Sequence, residues 1–362
     1  MGEAKPTVLV TGISGNLGLR LLPQLAGFEV IGVDLKPPAT ERRVRFVPLD
    51  LGKEESCREL FLLLREARPV AVIHLAFVID PARTGILDLD QMWQVNVAGT
   101  ARVMEAVTEA NREDSIVEKF IFVSSVAAYG SDLPEPVTEE FPLGGHTLPY
   151  AIHKMESDKV FQQRAPALRG CSAFMLRPHI FAGASVENYI LGAFRGTPNG
   201  GGDRAARMRS SGKRLPCMLP YGEEYPEKRI QFVHVDDVAR LIAHILRKSG
   251  PESQRLTVLN VAGRGDPLTY GRCIEMAKAK LIRVPGKFVF RAILQLLWKF
   301  DISTIPPDAM PYMTGEYIMN TDRLRKFLGS EYEHVFRYTI AEAFADCFDQ
   351  LPEPGKPPLP AQ

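Results

Sequence analysis

In the first half of the chain, short apolar and β-branched runs alternate with longer stretches whose apolar positions recur every three or four residues. The runs at 7–11, 28–33, 44–48, 70–75, 118–124 and 172–176 predict strands. The stretches at 16–26, 53–67, 90–112 and 149–165 predict the helices between them. That rhythm is one of βαβ units feeding a parallel sheet. Ala71-Val72-Ile73-His74-Leu75 and Phe120-Ile121-Phe122-Val123 are almost unbroken apolar runs, as expected of strands covered by helices on both faces.

The pattern changes after Arg177-Pro178. Residues 195–229 are rich in Gly, Pro and Arg and predict an irregular segment. Periodicity returns at Phe232-Val233-His234, in a helix near 235–248, and in a strand at Thr257-Val258-Leu259-Asn260. Residues 262–350 read as mixed helix and strand. The Pro-rich tail 352–362 reads as disordered. We see no internal repeat.

At 362 residues the chain is long enough for about two domains. The 44 basic and 43 acidic residues leave a net charge of +1, which gives no electrostatic reason to expect nucleic acid or an anionic membrane as a partner. Five cysteines lie far apart with no C-x-x-C pair, so neither a metal site nor a disulfide framework is expected and a reducing compartment fits. No apolar run reaches membrane-spanning length, and the first strand starts too early for a signal peptide. Pro6 breaks the acylation motif that Met1-Gly2 would begin. The expected location is cytoplasmic.

Directly after the first strand comes Thr11-Gly12-Ile13-Ser14-Gly15-Asn16-Leu17-Gly18, opening a helix. Glycines at this spacing let the backbone turn tightly and approach a pyrophosphate at the positive end of the helix. Asp34 closes the second strand, where an acid is placed to bond both hydroxyls of an adenosine ribose. A 2′-phosphate would meet like charge there. NAD is therefore expected and NADP is disfavoured, a preference softened by nearby Lys36. The competing reading of Asp34 is a strand-end acid that caps a turn. The fold class that follows is α/β: a doubly wound parallel-sheet Rossmann fold with a smaller α/β substrate-binding domain. The first domain takes 5–177 plus 231–261, and the second takes 178–230 plus 262–350.

Tyr150-Ala151-Ile152-His153-Lys154 puts a phenol and an ammonium four residues apart, on one face of the helix that starts at Pro149. A free tyrosine, with a pKa near ~10, is a poor base at neutral pH. A neighbouring ammonium and a positive nicotinamide ring favour its ionised form. The pair follows a fifth strand that ends in Val123-Ser124-Ser125, and ligands in such sheets sit at the strands' carboxyl ends.

Taken together, the chain resembles the extended short-chain dehydrogenase/reductase family, the NAD-dependent epimerase/dehydratase group. The resemblance rests on the glycine loop, Asp34, Asp50-Leu51, His74-Leu75-Ala76, Asn96-Val97-x-Gly99-Thr100, Ser124 to Gly130, Tyr150-x-x-x-Lys154, Leu176-Arg177-Pro178 and His234 to Ala239. It implies that Gly12, Gly15, Asn16, Leu17 and Gly18 cradle the cofactor and that Asp50 and Leu51 meet the adenine. Leu75, Ala76 and Phe77 line its ribose and phosphates, and Pro178 and His179 border the nicotinamide. Asn96 supports the fold or the cofactor side. Ser125, Tyr150 and Lys154 are the implied catalytic set, Lys154 also bonding the nicotinamide ribose. A homodimer is implied as well. His234 and Asp236 read as the start of a helix, with Asp236 as a good cap.

Departures from the family pattern narrow the activity. Val126 and Ala127 stand where nucleotide-sugar 4,6-dehydratases carry an Asp-Glu pair, so that reaction is not expected. Ile230 stands where related epimerases place a diphosphate-binding Arg, with Arg229 one step away. His153 reads as a solvent-facing helical residue. The basic run Arg204, Arg207, Arg209, Lys213, Arg214 is a solvated face or a phosphate site. The apolar stretch 286–300 is a packed helix or an interfacial one. Three functions remain open: an NAD-dependent epimerase on a nucleotide-linked sugar, an alcohol dehydrogenase or ketone reductase on a hydroxysteroid-like or other apolar substrate, and a non-catalytic dinucleotide sensor.

Overall fold

A computed structural model describes residues 5–40, 42–79, 88–114, 116–144, 147–248 and 256–348. The expected tail at 352–362 lies outside these residues. The strands are β1 (Thr7–Thr11), β2 (Glu29–Asp34), β3 (Arg45–Pro48), β4 (Ala71–His74), β5 (Lys119–Val123) and β6 (Ser172–Pro178). They are followed by β7 (Ile180–Ala182), β8 (Cys217–Pro220), β9 (Arg229–Ile230), β10 (Phe232–His234), β11 (Leu256–Val261), β12 (Leu268–Thr269) and β13 (Leu281–Val284).

One seven-stranded sheet runs β11-β6-β5-β4-β1-β2-β3, and every pairing in it is parallel. The chain order reverses between β1 and β4, which opens a crevice at their carboxyl ends. Side chains alternate across the sheet. Val8 and Val10 pack against Val238, Leu241 and Ile245 of the Val235–Arg247 helix. Leu9 and Val72 face Leu60 and Leu64, Val103 and Val107, and Phe161, which lie on the three helices of the other face. Both faces are covered, which is why the strands read as continuous apolar runs.

Beyond β6, β11 returns to the large sheet, and the other described strands pair in twos: β10 with β7, β12 with β9 and β13 with β8. A third apolar cluster joins Val126, Tyr129 and Ala151, beside the sheet, to Phe290, Leu294, Met310 and Tyr312.

Two expectations on the elements need correction. Residues 195–229 are not irregular: they hold a helix at Asp203–Ser210, strand β8, a helical turn at Glu224–Glu227 and strand β9. These elements are short, and β8 and β9 find their partners β13 and β12 far along the chain. Local periodicity carries no record of such pairing. The helix expected at 90–112 is three pieces: Leu89–Trp93, a π-helical turn at Gln94–Ala98, and Gly99–Ala110. π-turns of this kind insert a residue into a helix and recur at functional sites.

Candidate active site

The crevice begins at the glycine loop. Gly12 has φ +73°, and a Cβ there would lie 2.5 Å from the backbone nitrogen of Ala76. A Cβ on Gly18 would lie 2.4 Å from the carbonyl oxygen of Ile13. These two glycines are required by packing of loop against loop and of helix against loop. At Gly15 a Cβ would lie 3.3 Å from the Gly12 carbonyl oxygen, which also accepts from the Gly15 amide at 3.1 Å and closes the turn that leads into the helix N-terminus, where a phosphate can sit. Asp34 is part-buried at the end of β2. Its carboxylate accepts from the Ser14 amide at 3.0 Å and the Leu35 amide at 2.7 Å. It therefore braces the loop, as the turn-capping reading requires, with oxygen lone pairs left over for a ribose. Asp50 accepts from the Gly52 amide at 2.9 Å, and Leu51 is buried. Asn16 donates to the Ser185 carbonyl at 2.8 Å, tying the first helix to the segment after β7. Leu17 is buried in the core.

From Ala76, packed on Gly12, the chain passes to Phe77, whose ring lies 3.5 Å from the Lys154 ammonium and meets the Tyr150 ring edge-on at 5.8 Å. The cradle and the Tyr–Lys pair are thus contiguous. Asn96, in the π-turn, is fully buried. Its side chain accepts from the Val78 amide at 2.7 Å and donates to the Val78 carbonyl at 3.0 Å, clamping the loop that carries Ala76 and Phe77. Asn96 thus acts here as a support.

Tyr150 and Lys154 project from the Pro149–Arg164 helix. Ser125 caps the turn after β5, its hydroxyl accepting from the Ala127 amide at 3.1 Å. The Tyr150 phenol is pushed up to about 12 by burial, against a hydrogen bond with Ser125 that favours its ionised form. Lys154 is buried and donates to the Val123 carbonyl at 2.9 Å. Burial brings its ammonium down to about 7, while the charge of Asp158 holds it up.

Behind the pair lies a buried polar chain. Asp158 accepts from the Ser124 hydroxyl and from Arg177 Nε at 2.7 Å. Arg177 also donates to the Tyr129 hydroxyl at 2.7 Å, which in turn donates to Asn260 Oδ1 at 2.7 Å. Asp158 is missing from the residues singled out in the sequence. Its signal was available, since it lies one helical turn beyond Lys154, on the same face.

His153 overturns its expectation: it is buried, and its Nδ1 accepts from Asn96 Nδ2 at 3.3 Å. The helix buries Ala151, His153, Lys154, Ser157 and Asp158, more than one stripe, because it is wedged between the sheet and the π-turn. Trp93, from the neighbouring helix, closes over the His153 ring edge-on at 5.3 Å. The helix start near 235 is capped by His234, whose Nδ1 accepts from the Asp236 amide at 3.2 Å; Asp236 sits in the first turn rather than at the cap. Pro178 ends β6. His179 follows it, buried, with Nε2 2.9 Å from the Tyr317 carbonyl and Nδ1 accepting from the Ile180 amide, so its ring serves the fold. Arg229 is bound to Glu316 at 2.6 Å, and Ile230 is buried. The Arg229 guanidinium is thus engaged through Nε by Glu316, and position 230 has none. Among the described residues no cluster suited to a metal ion is found.

Comparison with known proteins agrees with this geometry. The NAD dependent epimerase/dehydratase family matches residues 8–262. A UDP-glucose 4-epimerase of Drosophila melanogaster is 28% identical over 259 residues, covering 65% of this chain and 71% of its own. UDP-glucose 4-epimerase 4 of Oryza sativa subsp. japonica is 30% identical over 264 residues, covering 67% and 68%. The solved UDP-glucose 4-epimerase of Thermotoga maritima with UDP-glucose superposes with a TM-score of 0.65 at 19% identity, over 95% of this chain and 97% of that one.

Proposed function

The chain belongs to the NAD-dependent epimerase/dehydratase family, and from that premise we propose that it is an NAD-dependent epimerase acting on a nucleotide-linked sugar. The curated relatives that support this reading are UDP-glucose 4-epimerases. NAD, when bound, supplies the acceptor and donor of the hydride.

The observation that carries the reading is the part-buried Tyr150 phenol, bonded to Ser125 and one turn from Lys154, beside the glycine cradle. Tyr150 takes the proton of the substrate hydroxyl as that carbon is oxidised and returns it when the carbon is reduced. Ser125 donates a hydrogen bond to the reacting oxygen and stabilises its developing charge. Lys154 holds positive charge near the phenol and reaches the nicotinamide ribose. Gly12, Gly15, Asn16, Leu17 and Gly18 hold the pyrophosphate, Asp34 the adenosine ribose, and Asp50 and Leu51 the adenine. Leu75, Ala76, Phe77, Pro178 and His179 complete the cofactor wall, which Asn96 supports from behind. We divide the chain into a cofactor domain (5–177 plus 231–261) and a substrate domain (178–230 plus 262–350). We place it in the cytoplasm as a homodimer.

The test is turnover of UDP-sugars by purified protein with NAD. Interconversion of C4 epimers without net NADH, abolished in Tyr150→Phe, supports the proposal. No turnover with any UDP-sugar overturns it. One observation favours a second reading, oxidation of an apolar alcohol. Tyr150 packs against an apolar cluster that includes Val126, Leu148, Met310 and Met313, and Arg229 is already bound to Glu316. Stoichiometric NADH from an apolar secondary alcohol would identify that reaction.

A further inference from the structure

The helix Gly286–Lys299 has two faces of different fate. Phe290 and Leu294 are buried in the cluster that also packs on Tyr150. On the outside, Phe288, Ala292, Leu296 and Phe300 are exposed and recur at intervals of four, forming one ridge along the helix and its cap. Phe288 is 86% exposed, the most exposed large apolar side chain among the described residues. Leu296 is 53% and Phe300 49% exposed. Leaving so much adjacent apolar surface in water is unfavourable, so a ridge of this kind marks a contact.

The charge around the ridge specifies the contact. Lys287 and Lys299 lie on the exposed face beside it and carry no ion pair among the described residues. Arg291, also exposed, pairs with Asp308. Arg204, on the basic helix Asp203–Ser210, stands 5.2 Å from the Phe300 ring and extends the positive field. Asp203, Asp301 and Asp308 lie on this side too, but Lys287, Arg291, Lys299 and the Arg204, Arg207 and Arg209 of that helix outnumber them, so the local balance is cationic in a chain whose net charge is only +1. A second copy meeting the ridge about a two-fold axis would bring the same cations against each other. A projecting ridge also has no walls to define the path of a peptide. Aromatic and leucine side chains projecting between cations match a bilayer interface, where rings enter the headgroup layer and cations meet anionic lipid.

We propose that the Phe288–Phe300 ridge docks this protein reversibly on an anionic lipid surface, lying in the interface without crossing it. Among the described residues no helix is long and apolar enough to cross a membrane. The proposal is independent of the reaction catalysed.

Flotation of the purified full-length protein, with vesicles of phosphatidylcholine alone or carrying phosphatidylglycerol at roughly one third, tests it. The expected result is at least ~10-fold more protein with the anionic vesicles, reduced by molar salt. Phe288→Ser with Leu296→Ser is expected to lower that partition ~10-fold or more. Lys287→Glu with Lys299→Glu is expected to erase the preference for anionic lipid. Both doubles should keep the parent's melting temperature, since all four side chains are exposed. Equal recovery with both vesicle types, or undiminished binding by the Ser double, overturns the proposal. So does light scattering that finds a dimer dissolved by the Ser double while vesicles recover nothing, because a second copy then covers the ridge.

Discussion

A phenol buried next to a serine hydroxyl stays protonated until positive charge arrives, and the Tyr150 pKa near 12 expresses that resting state. Tyr150→Phe keeps the ring and its packing while removing the proton carrier. Turnover should fall by a factor of about 10² to 10⁴ with the NAD dissociation constant unchanged, as steady-state rates and calorimetry will show. Lys154 makes a separate prediction. Its folded pKa, about 7, is below the ordinary 10.5, so between these values the unfolded chain holds more protons. Lys154 thus opposes folding near neutrality, and its penalty fades as pH rises toward 10.5. Lys154→Met should be more stable than the parent at pH 7 by roughly 1–3 kcal/mol and gain nothing above pH 10.5. Denaturant melts at the two pH values check the sign. Gly12→Ala puts a methyl against the Ala76 backbone at positive φ. It should cost about 1–3 kcal/mol and weaken NAD binding measurably by calorimetry.

The Pro149–Arg164 helix carries the whole proton machinery because it is held from both sides. Arg177 and Ser124 fix it at Asp158, and the Asn96 carbonyl accepts from Ser157 at 3.0 Å. Asp158→Ala leaves the Arg177 guanidinium buried without its carboxylate, a loss of about 3–5 kcal/mol by chemical denaturation. Much of this element was legible in the sequence. Tyr150, Lys154 and the proline at its first turn are local signals. The burial of His153 was not, because it depends on Trp93 and the π-turn arriving from another segment. Likewise the helix at Asp203–Ser210 has one buried residue, Ala205, and so too little amphipathic pattern to be seen.

In the whole molecule the cradle lies on one end of the sheet, and the segments after β6 close over it. Asn16 and Arg20 both reach Ser185, so the first helix is tied directly to the chain beyond β7. A ligand that binds the folded crevice alone stabilises by mass action. NAD at a hundred times its dissociation constant should add about 2.7 kcal/mol and raise the melting temperature in a concentration-dependent way, measured by thermal scanning. A melting temperature that ignores NAD would contradict the assignment of the crevice.

The sequence by itself determined the strand and helix rhythm, the glycine loop with Asp34, and the Tyr150–Lys154 spacing. Each of these is enforced by neighbours within a few residues: backbone turns that demand glycine, side chains that share a helical face, apolar runs that need cover on both sides. Only the tertiary structure decided that Phe77 lies on the Lys154 ammonium, that Asp158 and Arg177 stand behind it, that Arg229 is held by Glu316, and that Phe288 projects outward while Phe290 is buried. Those outcomes depend on which distant surfaces meet in close packing, and that information is spread over the chain, beyond the reach of any one window of residues.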